Sequence, residues 1–216
     1  MWHKKMVPAT LAGLVIGVVA GLVAWAPAAH ATVVFTAGNN PQPNEENVLY
    51  GSSQTGASIT GATNQSQTTV AFTSTTDTLV TTANGQANLT TQDGLINQVT
   101  ITAPGHVFGD LILNPFLGTG NPPPTAASVT VTTNDGSFVD NLTLGNGNNF
   151  LTIRALDTET ILSVMLASDG GFADLRQVRI SDVSTTTGAV PEPATLLLLG
   201  TALLGAAALG RRRRTS

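Results

Sequence analysis

No cysteine occurs anywhere in the 216 residues, and charged side chains make up only 10% of them. Without thiols no disulfide can form, so stability has to come from a buried apolar core. Zinc sites built on Cys and His are excluded by inventory, because beyond the first 31 residues the chain has a single histidine, His106. Aromatic residues are scarce as well: Trp2 and Trp25 both lie in the first 31 residues, leaving Tyr50 and seven phenylalanines for the remainder. Basic residues are rarer still. From Thr32 to Gly188 there are only Arg154, Arg176 and Arg179, against twelve acidic residues. A clustered Lys/Arg surface that could displace counterions from phosphate is therefore missing, which sets nucleic-acid binding aside.

What is present divides the chain into unlike parts. "MWHKK" is a short basic start, Leu11 to Ala26 is an uncharged run of sixteen residues, Pro27 breaks any helix, and Ala29-His30-Ala31 places small residues where a signal peptidase requires them. This order reads as a secretory signal over residues 1–31 with an apolar helix at its centre. Cleavage is expected after Ala31, making Thr32 the first mature residue. The alternative is an uncleaved membrane anchor, for which the run falls short of the roughly 20 residues that cross a bilayer.

Residues 32–183 alternate apolar and polar side chains in short runs punctuated by Gly, Asn, Asp and Pro. In "LINQVTIT" Val99 and Ile101 share one face while Gln98, Thr100 and Thr102 take the other; "ASVTVTT" sets Val129 and Val131 among threonines. Similar runs begin at Val33, Asn47, Thr68, Val107, Gly136, Asn149, Thr160 and Leu175. Period-two alternation of β-branched and aromatic residues predicts half-buried antiparallel strands. Nine or more of them, with no convincing helical stretch between, predict an all-β antiparallel sandwich or jelly-roll-like domain. "NDGS" at Asn134 and "NGNN" at Asn146 are expected hairpin reversals. "GTGNPPPT" from Gly118 to Thr125 is expected to connect the two halves of the sandwich.

Candidate chemistry in this domain is thin. A Ser-His-Asp system would have to use His106, which sits in "APGHVFGD" beside a turn, where a solvated histidine is the plainer reading. Paired carboxylates for glycoside hydrolysis cannot be settled by counting, and nearly all acidic residues fall in expected turns. Calcium is a better candidate, with Asp169 and Asp174 around one Gly-containing loop and Asp135 and Asp140 around another, although Asp also serves as an ordinary turn former. Carbohydrate binding uses exposed aromatic platforms; Tyr50 is the candidate contact, with a strand-edge position as the alternative, and most phenylalanines fall in strands as core. The Thr-x-Thr stretches at Thr100 and Thr130 share no fixed repeat that would stack them into ranks. The expectation is a non-catalytic domain, with a polysaccharide-binding module or a secreted hydrolase as alternatives.

The end of the chain is the most specific part. Residues 184–189 form a small polar spacer, followed by Pro191-Glu192-Pro193, an uncharged run over 194–209, and Arg211-Arg212-Arg213-Arg214. As a helix the run spans roughly 24 Å at 1.5 Å per residue, a marginal membrane span. The positive-inside rule keeps the arginines in the cytoplasm as a membrane stop and everything before Pro191 outside. On the residues alone this is either a removable address or a permanent anchor with Ala202, Ala206 and Gly210 as a packing stripe. The stretch "VPEPATLLLLGTALLGAAALGRRRR" (residues 190–214) closely resembles the PEP-CTERM protein-sorting domain, a tail also labelled as an ice-binding protein C-terminal domain. That resemblance implies cutting near Pro191-Glu192-Pro193 by an exosortase-type membrane protease of a Gram-negative cell. It further implies a transient stay in the inner membrane, then delivery to the cell surface or to an extracellular biofilm matrix where exopolysaccharide is a potential partner. The discarded apolar tail parallels the logic of lipid-anchor signals.

Overall fold

The computed structural model describes residues 32–186 apart from 83, 84, 87 and 118–125, with the backbone alone at 85 and 86. The leader expected over 1–31, the membrane helix expected over 194–209 and the connection at Gly118–Thr125 lie outside the described residues. Between them the chain is built from strands: β1 (Val33–Ala37), β2 (Glu46–Tyr50), β3 (Gln54–Gly56), β4 (Ser58–Thr63), β5 (Thr69–Thr73), β6 (Leu79–Thr81), β7 (Gly85–Gln86), β8 (Asn88–Thr91), β9 (Ile96–Thr102), β10 (His106–Val107), β11 (Asp110–Phe116), β12 (Ala126–Thr133), β13 (Ser137–Thr143), β14 (Leu151–Ala155), β15 (Ile161–Phe172), β16 (Asp174–Ser181) and β17 (Ser184–Thr185). Each of the ten expected runs contributes at least one strand, and no helix occurs among the described residues.

Every pairing among the described strands is antiparallel, and they form two layers. One runs β1-β14-β11-β16, continued by β8, β6 and β3; the other runs β2-β4-β5-β9-β15-β12-β13. The layers join through β2, whose first half pairs with β16 (Asn47 opposite Arg179, Glu46 opposite Ile180) and whose second half pairs with β4 (Val48 opposite Thr63, Leu49 opposite Ala62). A strand that changes partners in this way makes the corner of a sandwich. The core lies between the layers: Leu111, Leu113, Leu151, Ile153, Leu175 and Ile180 from one face Ile59, Val70, Phe72, Val99, Ile101, Val129, Val131, Val164 and Leu166 from the other. Each such side chain removed from water contributes about 1.5–3 kcal/mol, which is how a chain with no disulfide reaches a stable fold.

The first layer is covered on its outer side too. Ile112 and Thr152, on the face away from the core cluster, are fully buried. The stretch from Gly38 to Glu45 crosses above them: Asn40 N–H donates to Thr152 Oγ1 (3.1 Å), Thr152 Oγ1 donates to the Gly38 carbonyl (2.9 Å), and Arg179 reaches both Asn39 (2.7 Å) and Glu45 (3.2 Å). The second layer's outer face is rich in Ser and Thr, with Gln98, Met165 and the exposed Leu49 and Val139 among them.

Two expectations about turns need correction. "NDGS" does reverse a hairpin, β12 to β13, with Thr133 N–H donating to the Gly136 carbonyl at 2.8 Å. "NGNN" contains a left-handed Gly147 (φ 91°), but it carries the chain from β13 in one layer to β14 in the other and closes no hairpin. Acidic residues also stand outside turns: Asp110 lies within β11 at 4% exposure, and Asp140, Asp169 and Asp174 lie in β13, β15 and β16.

Candidate functional site

A depression of about 510 Å³ sits where the two layers meet the end of the domain. Asn44 and Glu46 at the start of β2, and Ser66 and Thr68 between β4 and β5, form one wall. His106 and the stretch Asp182–Thr185 form the other. The second wall is a two-residue ribbon in which His106 pairs with Thr185 and Val107 with Ser184; Thr186 N–H adds a bond to the Gly105 carbonyl at 3.2 Å. Beyond Thr186 the chain continues toward the tail, so this groove flanks the point where the domain ends.

Glu46 organises the first wall. One carboxylate oxygen accepts from Ser66 N–H (2.7 Å), Gln65 N–H (3.0 Å) and the Ser66 hydroxyl (3.1 Å). Burial pushes the Glu46 carboxyl up, but the Ser66 amide, the Thr63 hydroxyl, the Gln65 amide and the Ser66 hydroxyl outweigh it and hold it below the usual range. His106 faces the groove half-buried, its Nδ1 3.1 Å from the Pro104 carbonyl. Behind the second wall lies Asp110, where the Ser181 hydroxyl donates to Oδ2 and Oδ1 has no partner. Burial raises its carboxyl to about 6, opposed by the Ser181 hydroxyl, assisted by Asp182 and Glu45, and opposed by Arg154.

A second depression of about 220 Å³ is lined by Thr76, Asp77, Thr78, Gln92 and Asp93. Asp77 clamps the start of β9, accepting from Asn97 N–H (3.0 Å), Gln98 N–H (3.0 Å) and Asn97 Nδ2 (2.8 Å). Its carboxyl is held low: burial raises it, but the Asn97 amide, the Thr76 hydroxyl and the Gln98 and Asn97 backbone amides prevail. Asp93 is held low mainly by the Thr91 hydroxyl and the Leu95 amide. Glu46, Asp77 and Asp93 are thus held as anions by hydrogen bonds within the protein.

The residues singled out from sequence scatter over this scaffold. Tyr50 is neither an exposed platform nor a strand-edge residue. It is 2% exposed, packs edge-to-face on Phe72 with ring centroids 5.6 Å apart, and has β7 and β4 on either side of its strand. Phe72, Phe108 and Phe172 are fully buried and the other phenylalanines half-buried, Phe116 beneath the Arg176 guanidinium at 3.8 Å. Asp174 is engaged by Arg176 at 2.5 Å, while Asp135, Asp140 and Asp169 are exposed. No three His, Cys, Asp or Glu side chains converge as a metal-binding group among the described residues. Thr32 is placed, its carbonyl accepting from Leu156 N–H at 3.0 Å. Ala29, Ala31, Pro191, Glu192, Pro193 and Arg211 to Arg214 lie outside the described residues.

Of the residues that form the groove, sequence reasoning singles out only His106. Its walls come from residues around 44–46, 66–68, 106 and 182–185, and nothing in their local patterns announces that they meet.

Comparison with known proteins locates the specific signal at the end of the chain: the family of the PEP-CTERM protein-sorting motif matches residues 189–214. The chain therefore carries that sorting motif, beginning three residues after the last described position. No protein of curated function matches the chain significantly. Among solved structures, a mutant of CBM29-2, a family 29 carbohydrate-binding module, matches at 13% identity and a TM-score of 0.25, covering 76% of this chain and 99% of the other. A superposition at that level carries no argument about ligand.

Proposed function

We propose that this is an exported, non-catalytic β-sandwich protein of the cell surface or extracellular matrix, released from its leader after Ala31 and sorted through its tail by an exosortase-type membrane protease. The observation that carries the reading is the sorting motif at residues 189–214, which marks the chain as exosortase-sorted. Its apolar helix, halted by Arg211–Arg214, holds the precursor briefly in the inner membrane with the sandwich outside. Cutting near Pro191-Glu192-Pro193 then frees the domain.

The layout of the domain supports this order of events. β1 starts at Val33, directly after the leader, and β17 ends at Thr185, four residues before the motif. Both cuts would thus fall outside the sandwich and leave its strands intact. A non-catalytic role is supported by the chemistry of the two depressions. Glycoside hydrolysis needs one carboxyl of raised pKa facing another across a cleft. Among the lining groups Glu46, Asp77 and Asp93 are held low, whereas Asp110, whose carboxyl is raised, is buried behind a wall.

Mass spectrometry of the natural protein from cells with and without the sorting protease tests the proposal, because it reads both termini at once. A start at Thr32 in both strains and a tail lost only when the protease is present are expected. An intact tail in both strains overturns the processing step.

A further inference from the structure

The sandwich is tied to its sorting motif by a short length of chain. β17 pairs with β10 through Thr185 opposite His106 and Ser184 opposite Val107, and Thr186 N–H donates to the Gly105 carbonyl at 3.2 Å. Thr186 is thereby held on the domain, and Pro191-Glu192-Pro193 starts five residues later. Five residues reach no more than about 18 Å when fully stretched. A seven-residue strand such as β11 is itself about 23 Å long. A protease that cuts near Pro191 therefore works closer to this end of the domain than the length of one of its strands. Its surface must meet the surface around Thr186.

That surface is the groove. Ser184 and Thr185, the last paired residues before the motif, line it. Its charges have one sign: Glu46 is held as an anion, Asp182 is exposed, and no Lys or Arg stands among the lining residues described. Asn44 (φ 59°), Gln67 (φ 57°) and Asp182 (φ 51°) hold left-handed backbone on or beside the rim. Such conformations persist where the surroundings fix them, so the rim is a preset shape. Anionic lipid headgroups are drawn to clustered Lys and Arg, which this surface lacks. It complements a basic protein surface instead.

We propose that this groove-bearing end of the sandwich docks on a basic, extracytoplasmic surface of the sorting protease, so that the folded domain is recognised together with the tail. The proposal rests on the reading of residues 189–214 as an exosortase-cut tail and adds the surface that meets the enzyme. A tether this short keeps the two surfaces at high effective concentration, so modest charge complementarity is enough to bias capture.

Pulse-chase blotting of cells that contain the protease follows leader and tail removal on the full chain. Ser184→Lys with Thr185→Lys places two positive charges on the groove wall and should slow tail removal by about fivefold or more, with leader removal unchanged. Ser137→Lys with Asn141→Lys adds the same charge at exposed positions of β13, which contributes no residue to the groove, and should be processed like the wild type. Asp182→Asn suits the left-handed backbone there and should also slow tail removal, independently of β17. The purified exported variants should melt at the wild-type temperature. Wild-type tail removal in the groove variants, equal slowing in the β13 pair, or slowing only in variants that melt lower overturns the docking surface. Faster removal in the Ser184 and Thr185 pair, as attraction to anionic headgroups would produce, gives this face to lipid and overturns it as well. A wild-type tail retained with the protease present overturns the sorting reading instead.

Discussion

Two buried polar side chains show what single residues contribute here. Tyr50 keeps an unpartnered hydroxyl inside the core beside Phe72, and burial pushes its phenol up, since ionisation there has no support. Removing that hydroxyl should help: Tyr50→Phe is expected to raise stability by about 1 kcal/mol in chemical denaturation, and a loss would reveal a partner the hydroxyl depends on. Asp110 couples the fold to pH. Its folded pKa of about 6 lies above the ordinary 3.8, so its contribution is complete below the lower value and lost as pH rises through the higher one. Between pH 4 and 7 the wild type should lose on the order of 2–3 kcal/mol relative to Asp110→Asn, followed by denaturation at a series of pH values. Parallel pH profiles would refute this. Glu46 and Asp77, held low, act in the opposite sense: their stabilisation is present above the ordinary carboxylate range and lost as pH falls.

At the scale of elements, the corner strand β2 decides how the layers meet. Gly61 on β4 lies against it, and a Cβ there would stand 2.7 Å from Val48 Cγ1 and 2.9 Å from the Leu49 carbonyl. The backbone oxygen cannot step aside. Gly61→Ala should therefore cost about 1–3 kcal/mol, read as a fall in denaturation midpoint with an unchanged slope; a neutral result would mean that β2 and β4 can separate without penalty. The same glycine explains why β4 was not foreseen. In "ASITGAT" Ile59 is the only large apolar residue, and the close approach that glycine serves belongs to the partner strand. β3, β6 and β8 were missed for a related reason: at three or four residues each they are too short to show a period. β15 was foreseen only in its first part, because its irregular pairing between Ala167 and Phe172 breaks the alternation around Gly170 and Gly171.

On the scale of the molecule, the sorting motif at residues 189–214 follows directly on the last strand of the sandwich. Glu192→Ala, which removes the only acid of the sorting motif, should leave the protein in the membrane fraction with its tail intact while the leader is still removed. Blotting fractionated cells checks this, and normal release would show that the carboxylate is dispensable. The outer face of the second layer is also a property of the whole. Thr130 faces Met165, which faces Thr100, which faces Thr73, and Thr132, Ser163 and Thr102 form the neighbouring row. Threonines without a shared repeat in the chain are thus aligned across strands by register, with Met165 and Ser163 interrupting the ranks.

Local chemistry travels along the chain, and what depends on it was readable there. Alternating side chains determined an antiparallel all-β domain, the lack of cysteine left a hydrophobic core as its support, and the ordered Pro-Glu-Pro, apolar and arginine segments declared a sorting motif. Contacts between distant residues obey register and layer packing, which no local pattern encodes. Only the tertiary structure therefore decided that Tyr50 is core, that Asp110 and Glu159 are buried, that Glu46 and His106 share a groove, and that Thr32 lies against Leu156.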